Sequence, residues 1–107
     1  MIQELTVELF DAEVLQSEIP VVVDFWTPGC GPCRLQDSVL DELAVENSGQ
    51  FHVKKINVWD EPDLATRFNI SAVPTVLIFD RGDVVRSLVG YQDKHRLLRA
   101  LELTAKI

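Results

Sequence analysis

The chain is short of several things at once. Of its 107 residues only two are cysteine, one is methionine, one is tyrosine and two are tryptophan, and glycine and proline number five each. Two cysteines cannot build the disulfide framework of a small secreted domain. A bridge between Cys30 and Cys33 would close so short a loop that it could restrain the unfolded chain very little. Glycine and proline are too thinly spread to form a linker, a repeat or a low-complexity stretch, so one domain over residues 1–107 is expected. Basic residues are outnumbered ten to seventeen, giving a formal net charge of −7. That balance excludes an electrostatic grip on nucleic acid or on an anionic membrane. Apolar runs are only a few residues long, too short to cross a bilayer. The opening MIQELTVELF has neither the basic start nor the apolar core of a secretion signal, so a cytoplasmic location is expected.

What is present is an alternation of strand-like and helix-like segments. Ile2–Leu5 reads as a short strand. Thr6 is placed to cap a helix through Val14–Leu15, with Phe10, Val14 and Leu15 on one face. After Pro20, the run Val21, Val22, Val23 and Phe25 reads as a strand covered on both faces. Leu35, Val39, Leu40, Leu43 and Ala44 recur at helical spacing, with Asp37, Asp41, Glu42 and Glu46 opposite, and Asn47-Ser48-Gly49 ends that helix. FHVKKINVW is a second long strand. Asp60 is expected to cap a short helix with Pro62 in its first turn and Leu64, Ala65 and Phe68 inward. Thr75–Asp80 is a third apolar strand, and the turn Arg81-Gly82-Asp83 returns VVRSLV antiparallel to it. Asp93 caps a last helix with Leu97, Leu98 and Leu101 inward. The order β-α-β-α-β-α-β-β-α implies an α/β protein with a central mixed sheet.

Both cysteines lie in WTPGCGPCR, Trp26–Arg34. The first ends a strand-to-helix turn and the helix starts at about Gly31–Pro32, where proline is tolerated because its missing N–H needed no partner. Cys30 therefore faces unpaired N–H groups at the positive end of a helix, which favours a thiolate. Cys33 lies one turn further in, more buried and less reactive. The division suggests thiol–disulfide exchange, with Cys30 attacking a partner disulfide and Cys33 releasing the mixed disulfide to leave a Cys30–Cys33 bridge. Two alternatives stay open for such a pair. One is a structural role. The other is half a zinc site, although only His52 and His95 could complete it and they fall on different elements. Those histidines are expected to be solvated, and no metal is expected.

The segments Asp24–Trp26 (DFW), Cys30–Cys33 (CGPC), Lys55–Val58 (KINV), Val73–Thr75 (VPT), Phe79–Gly82 (FDRG) and Val89–Gly90 (VG), with the spacings between them, resemble the thioredoxin family over essentially the whole chain. The resemblance implies a thioredoxin fold, with a five-stranded mixed sheet flanked by four helices and a cis peptide bond before Pro74. It implies a redox-active disulfide between a nucleophile, Cys30, and a resolving thiol, Cys33. Asp24 corresponds to a buried carboxylate that takes the Cys33 proton, and Lys55 to a lysine that tunes it. Gly29, Gly31, Pro32, Val73, Pro74 and Gly90 correspond to an apolar substrate groove, in which the Val73 backbone can pair with an extended segment. Gly-Pro between the cysteines accompanies a reductant in this family. The implied partners are a thioredoxin reductase as electron donor and disulfide-containing proteins as substrates; no cofactor is expected, and a sequence with no clear oligomer interface leads to the expectation of a monomer.

The chain also departs from the family. Pro28-Gly29 stands where an aromatic usually precedes the first cysteine, and Trp59 stands where aspartate is usual. Trp59 is proposed to fill part of the vacated surface and so to join the substrate site. Ser38 replaces a helix-kinking proline, which predicts a straighter second helix. Trp26 is expected to pack near the active site and report its redox state by fluorescence. The leading reading is a reductant of protein disulfides; the alternative is a binding or chaperone subunit of the same fold whose thiols are not essential.

Overall fold

The computed structural model describes residues 2–105. A short strand, β1 (Gln3–Glu4), leads into α1 (Val7–Phe10), which continues directly as a π-helical stretch, Asp11–Leu15. Then follow β2 (Val21–Trp26), α2 (Gly31–Glu46), β3 (His52–Asn57), α3 (Pro62–Arg67), β4 (Thr75–Asp80), β5 (Asp83–Val89) and α4 (Lys94–Ala105). The strands form one sheet in the order β1-β3-β2-β4-β5. β1 and β2 run parallel to β3, and β4 runs antiparallel to β2 and β5. This is the fold class that the resemblance implied.

Alternation along β2 builds two cores. Val21, Val23 and Phe25 face one side with Phe10, Val14, Leu64 and Phe79. Val22 faces the other with Leu40, Leu43, Leu97 and Leu101. Every apolar residue from Val21 to Phe25 is fully buried, each contributing about 1.5–3 kcal/mol by leaving water. On the first side Phe68 meets Phe10 at 5.4 Å and Phe79 at 5.3 Å between ring centroids, the second pair edge to face.

The helices differ from their sequence-based outlines in four places. Thr6 precedes α1, but its side chain makes no capping bond; its backbone carbonyl accepts from Leu9 and Phe10. α3 is capped at Glu61 rather than Asp60, because Asn57 first draws the chain into a turn, accepting from Trp59 through its side chain and from Asp60 and Glu61 through its carbonyl. Leu35 is 62 % exposed. α2 buries Cys33, Gln36, Leu40 and Leu43 instead, a stripe centred roughly 120° round the helix from Leu35. Leu98 is exposed for the same reason, since α4 turns Leu97, Ala100 and Leu101 inward. Asp93 does cap α4, accepting from the Arg96 N–H at 2.9 Å. α2 runs unbroken through Ser38, whose hydroxyl donates to the Arg34 carbonyl at 3.5 Å.

Strand direction assembles the site. Phe25 pairs with Thr75, and Thr75 with Val89. The end of β2, the start of β4 and the end of β5 therefore meet at one end of the sheet. The cysteine loop, Val73–Pro74 and Gly90 follow from that register alone.

Candidate active site

Cys30 is the N-cap of α2 and Pro32 lies in its first turn. The cap is made by sulfur: the Cys33 N–H donates to Cys30 Sγ at 3.2 Å. Cys30 and Cys33 form a disulfide with their Cα atoms 5.2 Å apart. Cys33 is buried and Cys30 partly open. This is the asymmetry expected from their positions in the turn. Pro28, Gly29, Gly31 and Pro32 are exposed around the bridge. Gly29 has φ +77 with open space where a Cβ would stand, so the backbone and not crowding favours glycine there.

The Val73–Pro74 peptide bond is cis, as implied. The Val73 carbonyl oxygen lies 3.9 Å from Cys30 Sγ. Gly90, also at positive φ, donates its N–H to the Pro74 carbonyl at 2.8 Å. Val89 and Tyr91 beside it are exposed. Cys30, Val73, Pro74 and Gly90 thus share one ledge. Trp59 is 68 % exposed in the turn after β3 and does not line the cavity beside Gly29.

Behind the disulfide lies a cavity of about 360 Å³. Asp24, Trp26, Cys33, Arg34, Asp37 and Lys55 are among its walls. Pairing sets Glu4 opposite Lys55, Lys55 opposite Asp24, and Asp24 opposite Val76, so a row of ionisable groups crosses one sheet face. Asp24 is buried, and among the described residues its Oδ1 has no hydrogen-bond partner. Burial pushes its carboxyl up to about 7, helped by the negative charges of Asp37 and Glu4 and opposed by Lys55.

Lys55 does not bond Asp24. Its Nζ donates to Asp37 Oδ1 at 2.9 Å and sits 5.4 Å from the centroid of the Trp26 ring. Burial draws Lys55 down, but the Asp37 bond and the charges of Asp37, Glu4 and Asp41 outweigh it and leave the ammonium above its ordinary value. The Trp26 indole donates to Glu4 at 2.6 Å. Burial raises Glu4, against the Trp26 hydrogen bond and the Lys55 charge.

Sequence reasoning missed three of these groups. Asp37 read as one of the solvated acids of α2, although it lies one turn beyond Cys33 and so on the same side of the helix. Glu4 gives no signal without the β1–β3 register. Gln36 is wholly buried, and its side chain satisfies both backbone groups of one residue, donating to the Gln92 carbonyl at 3.0 Å and accepting from the Gln92 N–H at 2.8 Å. Gln92 in turn donates to the Val89 and Gly90 carbonyls at 3.2 Å, tying the Gly90 ledge to the helix that begins at the cysteines. Both histidines are exposed. Among the described residues no group of three or more histidines, cysteines or acids is placed to hold a metal ion, and no helix is long and apolar enough to cross a membrane.

The thioredoxin family model matches residues 1–103. Thioredoxin 1 of Nostoc is 41 % identical over 99 residues, covering 92 % of each chain. The chloroplastic thioredoxin M-type of spinach is 48 % identical over 89 residues, which is 83 % of this chain but 49 % of the spinach protein. The chain thus spans about half of that relative's length. A bifunctional thioredoxin reductase/thioredoxin of Mycobacterium leprae is 42 % identical over 98 residues, 92 % of this chain and 21 % of that protein.

Proposed function

We infer, since this chain belongs to the thioredoxin family, that it reduces disulfide bonds in other proteins by dithiol–disulfide exchange. The observation that carries the reading is the Cys30–Cys33 disulfide, capped by the Cys33 N–H and open to the surface beside the Val73 carbonyl.

In the reduced protein the Cys30 sulfur, favoured as thiolate by that N–H and by the start of α2, attacks one sulfur of the substrate disulfide. The substrate S–S bond breaks, one substrate thiolate leaves, and a mixed disulfide forms. Asp24 takes the Cys33 proton across the cavity that both residues line, and the Cys33 sulfur attacks Cys30. The second substrate thiolate leaves. Two electrons have then passed to the substrate, and the enzyme holds the Cys30–Cys33 disulfide. The ledge of Val73, Pro74 and Gly90 is the place for an extended substrate segment, with Gly29, Gly31 and Pro32 as its opposite wall. Trp59 is assigned to the rim of that surface.

A thioredoxin reductase returns the electrons; support for such a partner is the relative that carries both activities in one chain. The chain works as a monomer on protein substrates, and the cytoplasm supplies the reducing conditions this direction requires. The test is reduction of insulin disulfides by dithiothreitol. The protein should accelerate it, Cys30→Ser should abolish the effect, and Cys33→Ser should accumulate a covalent mixed disulfide on non-reducing gels. Full cellular function in a Cys30→Ser, Cys33→Ser double variant would reject this reading in favour of a binding subunit.

A further inference from the structure

Two carboxyls face the cavity behind the disulfide, and a single lysine lies within reach of both. Asp24 and Lys55 are cross-strand neighbours on one sheet face, on strands about 4.8 Å apart. A lysine there would ordinarily neutralise the buried acid. Instead its Nζ is bonded to Asp37 at 2.9 Å, and Asp24 Oδ1 is left without a partner. Glu4, the next group in the row, is held by the Trp26 indole.

We propose that Asp37 is a positioning residue, which holds Lys55 on the α2 side of the cavity, denies Asp24 a counter-ion, and so keeps the Asp24 carboxyl able to carry a proton to and from Cys33. The proton role rests on the function proposed above; the hold on Lys55 does not. The groups that face Asp24 are Glu4 from β1, Lys55 from β3, and Cys33 and Asp37 from α2, with Arg34 at the cavity wall and Asp41 acting on Lys55. β4 sets only Val76 beside it. Glu4 adds to the negative field whichever way Lys55 points. Asp37 alone does two things: it adds negative charge and it occupies the lysine. Removing it therefore acts on Asp24 twice in the same direction. The like charge disappears, and the flexible Lys55 stem is free to swing to Asp24, its neighbour across the strands.

The test is the titration of the Asp24 side-chain carbon by NMR in the oxidised protein, where no turnover is involved. In the wild type the midpoint should lie near 7. In Asp37→Ala, which removes the acceptor as well as the charge, it should fall by roughly one unit or more, as expected when a carboxyl gains a cationic neighbour. In a Lys55→Met background the same Asp37→Ala change should move it clearly less, because no lysine remains to be released. An unmoved midpoint in Asp37→Ala, or an equal fall with and without Lys55, overturns the positioning role. The second readout is the pH profile for resolving a preformed mixed disulfide. It should shift to lower pH in Asp37→Ala, and not when Asp24 is already asparagine. If the titration moves and this profile does not, the hold on Lys55 stands and Asp24 is not the acceptor of the Cys33 proton.

Discussion

Replacing Asp24 by asparagine gives the most direct measure of what the unpaired carboxyl costs. The group's ordinary value is 3.8 and its folded value is about 7. Between those limits the folded protein binds more protons at this site than the unfolded chain does, so the contribution to stability falls as pH rises. Below about pH 4 both states are protonated and the ionisation costs nothing. Above about pH 7 the full difference of some three units is in force, on the order of 4 kcal/mol against the folded state. Near pH 5 roughly 1–2 kcal/mol of that remains by the same relation. Asparagine keeps the shape and removes the ionisation, and whatever its buried amide costs does not vary with pH. The stability of Asp24→Asn relative to the wild type should therefore rise by about 2–3 kcal/mol between pH 5 and pH 8. Urea unfolding of the oxidised proteins across that range measures it, since the disulfide keeps both thiols from titrating. A difference that stays flat with pH, or that falls, would refute the claim that Asp24 is buried without a counter-ion.

Two further outcomes follow from hydrogen bonds and backbone. Gln36→Leu leaves the N–H and C=O of Gln92 buried and unpaired, which should cost about 2–4 kcal/mol in urea unfolding and speed hydrogen exchange at the Gln92 amide. Unchanged exchange there would remove Gln36 as the tie between α2 and the Gly90 ledge. Gly29→Ala should cost only about 1–2 kcal/mol of left-handed backbone strain. Gly82→Ala should cost more, because its Cβ would also stand 3.0 Å from the Leu15 carbonyl oxygen. Equal losses in thermal melts would contradict that ranking.

The buried strands were legible because each face of β2 and β4 needs its own apolar residues, and both appear as Val/Leu/Ile/Phe runs, that of β2 broken only by Asp24. The cysteine turn was legible because proline, a helix start and two thiols three residues apart leave few geometries. Helix faces were less so. Leu35 matched an apolar periodicity, yet the buried slot belongs to Gln36, whose burial is justified only by a peptide 56 residues away. Lys55 was read as the partner of Asp24, and strand pairing does set them side by side. Its actual bond depends on the turn of α2 over the sheet, which puts Asp37 within 2.9 Å. Local pattern announces elements; contacts between distant elements decide which charge meets which.

The ammonium of Lys55 fixed 5.4 Å from the centre of the Trp26 ring has an optical consequence. An indole's excited state redistributes charge across its rings, so a cation held over one face shifts its emission. Trp26 is half-buried and clamped to Glu4, while Trp59 stands in solvent. The two indoles therefore emit from different surroundings, and only the first senses where the lysine points. Light from Trp26 is a built-in gauge of the charge arrangement behind the disulfide, readable without a label and without a substrate.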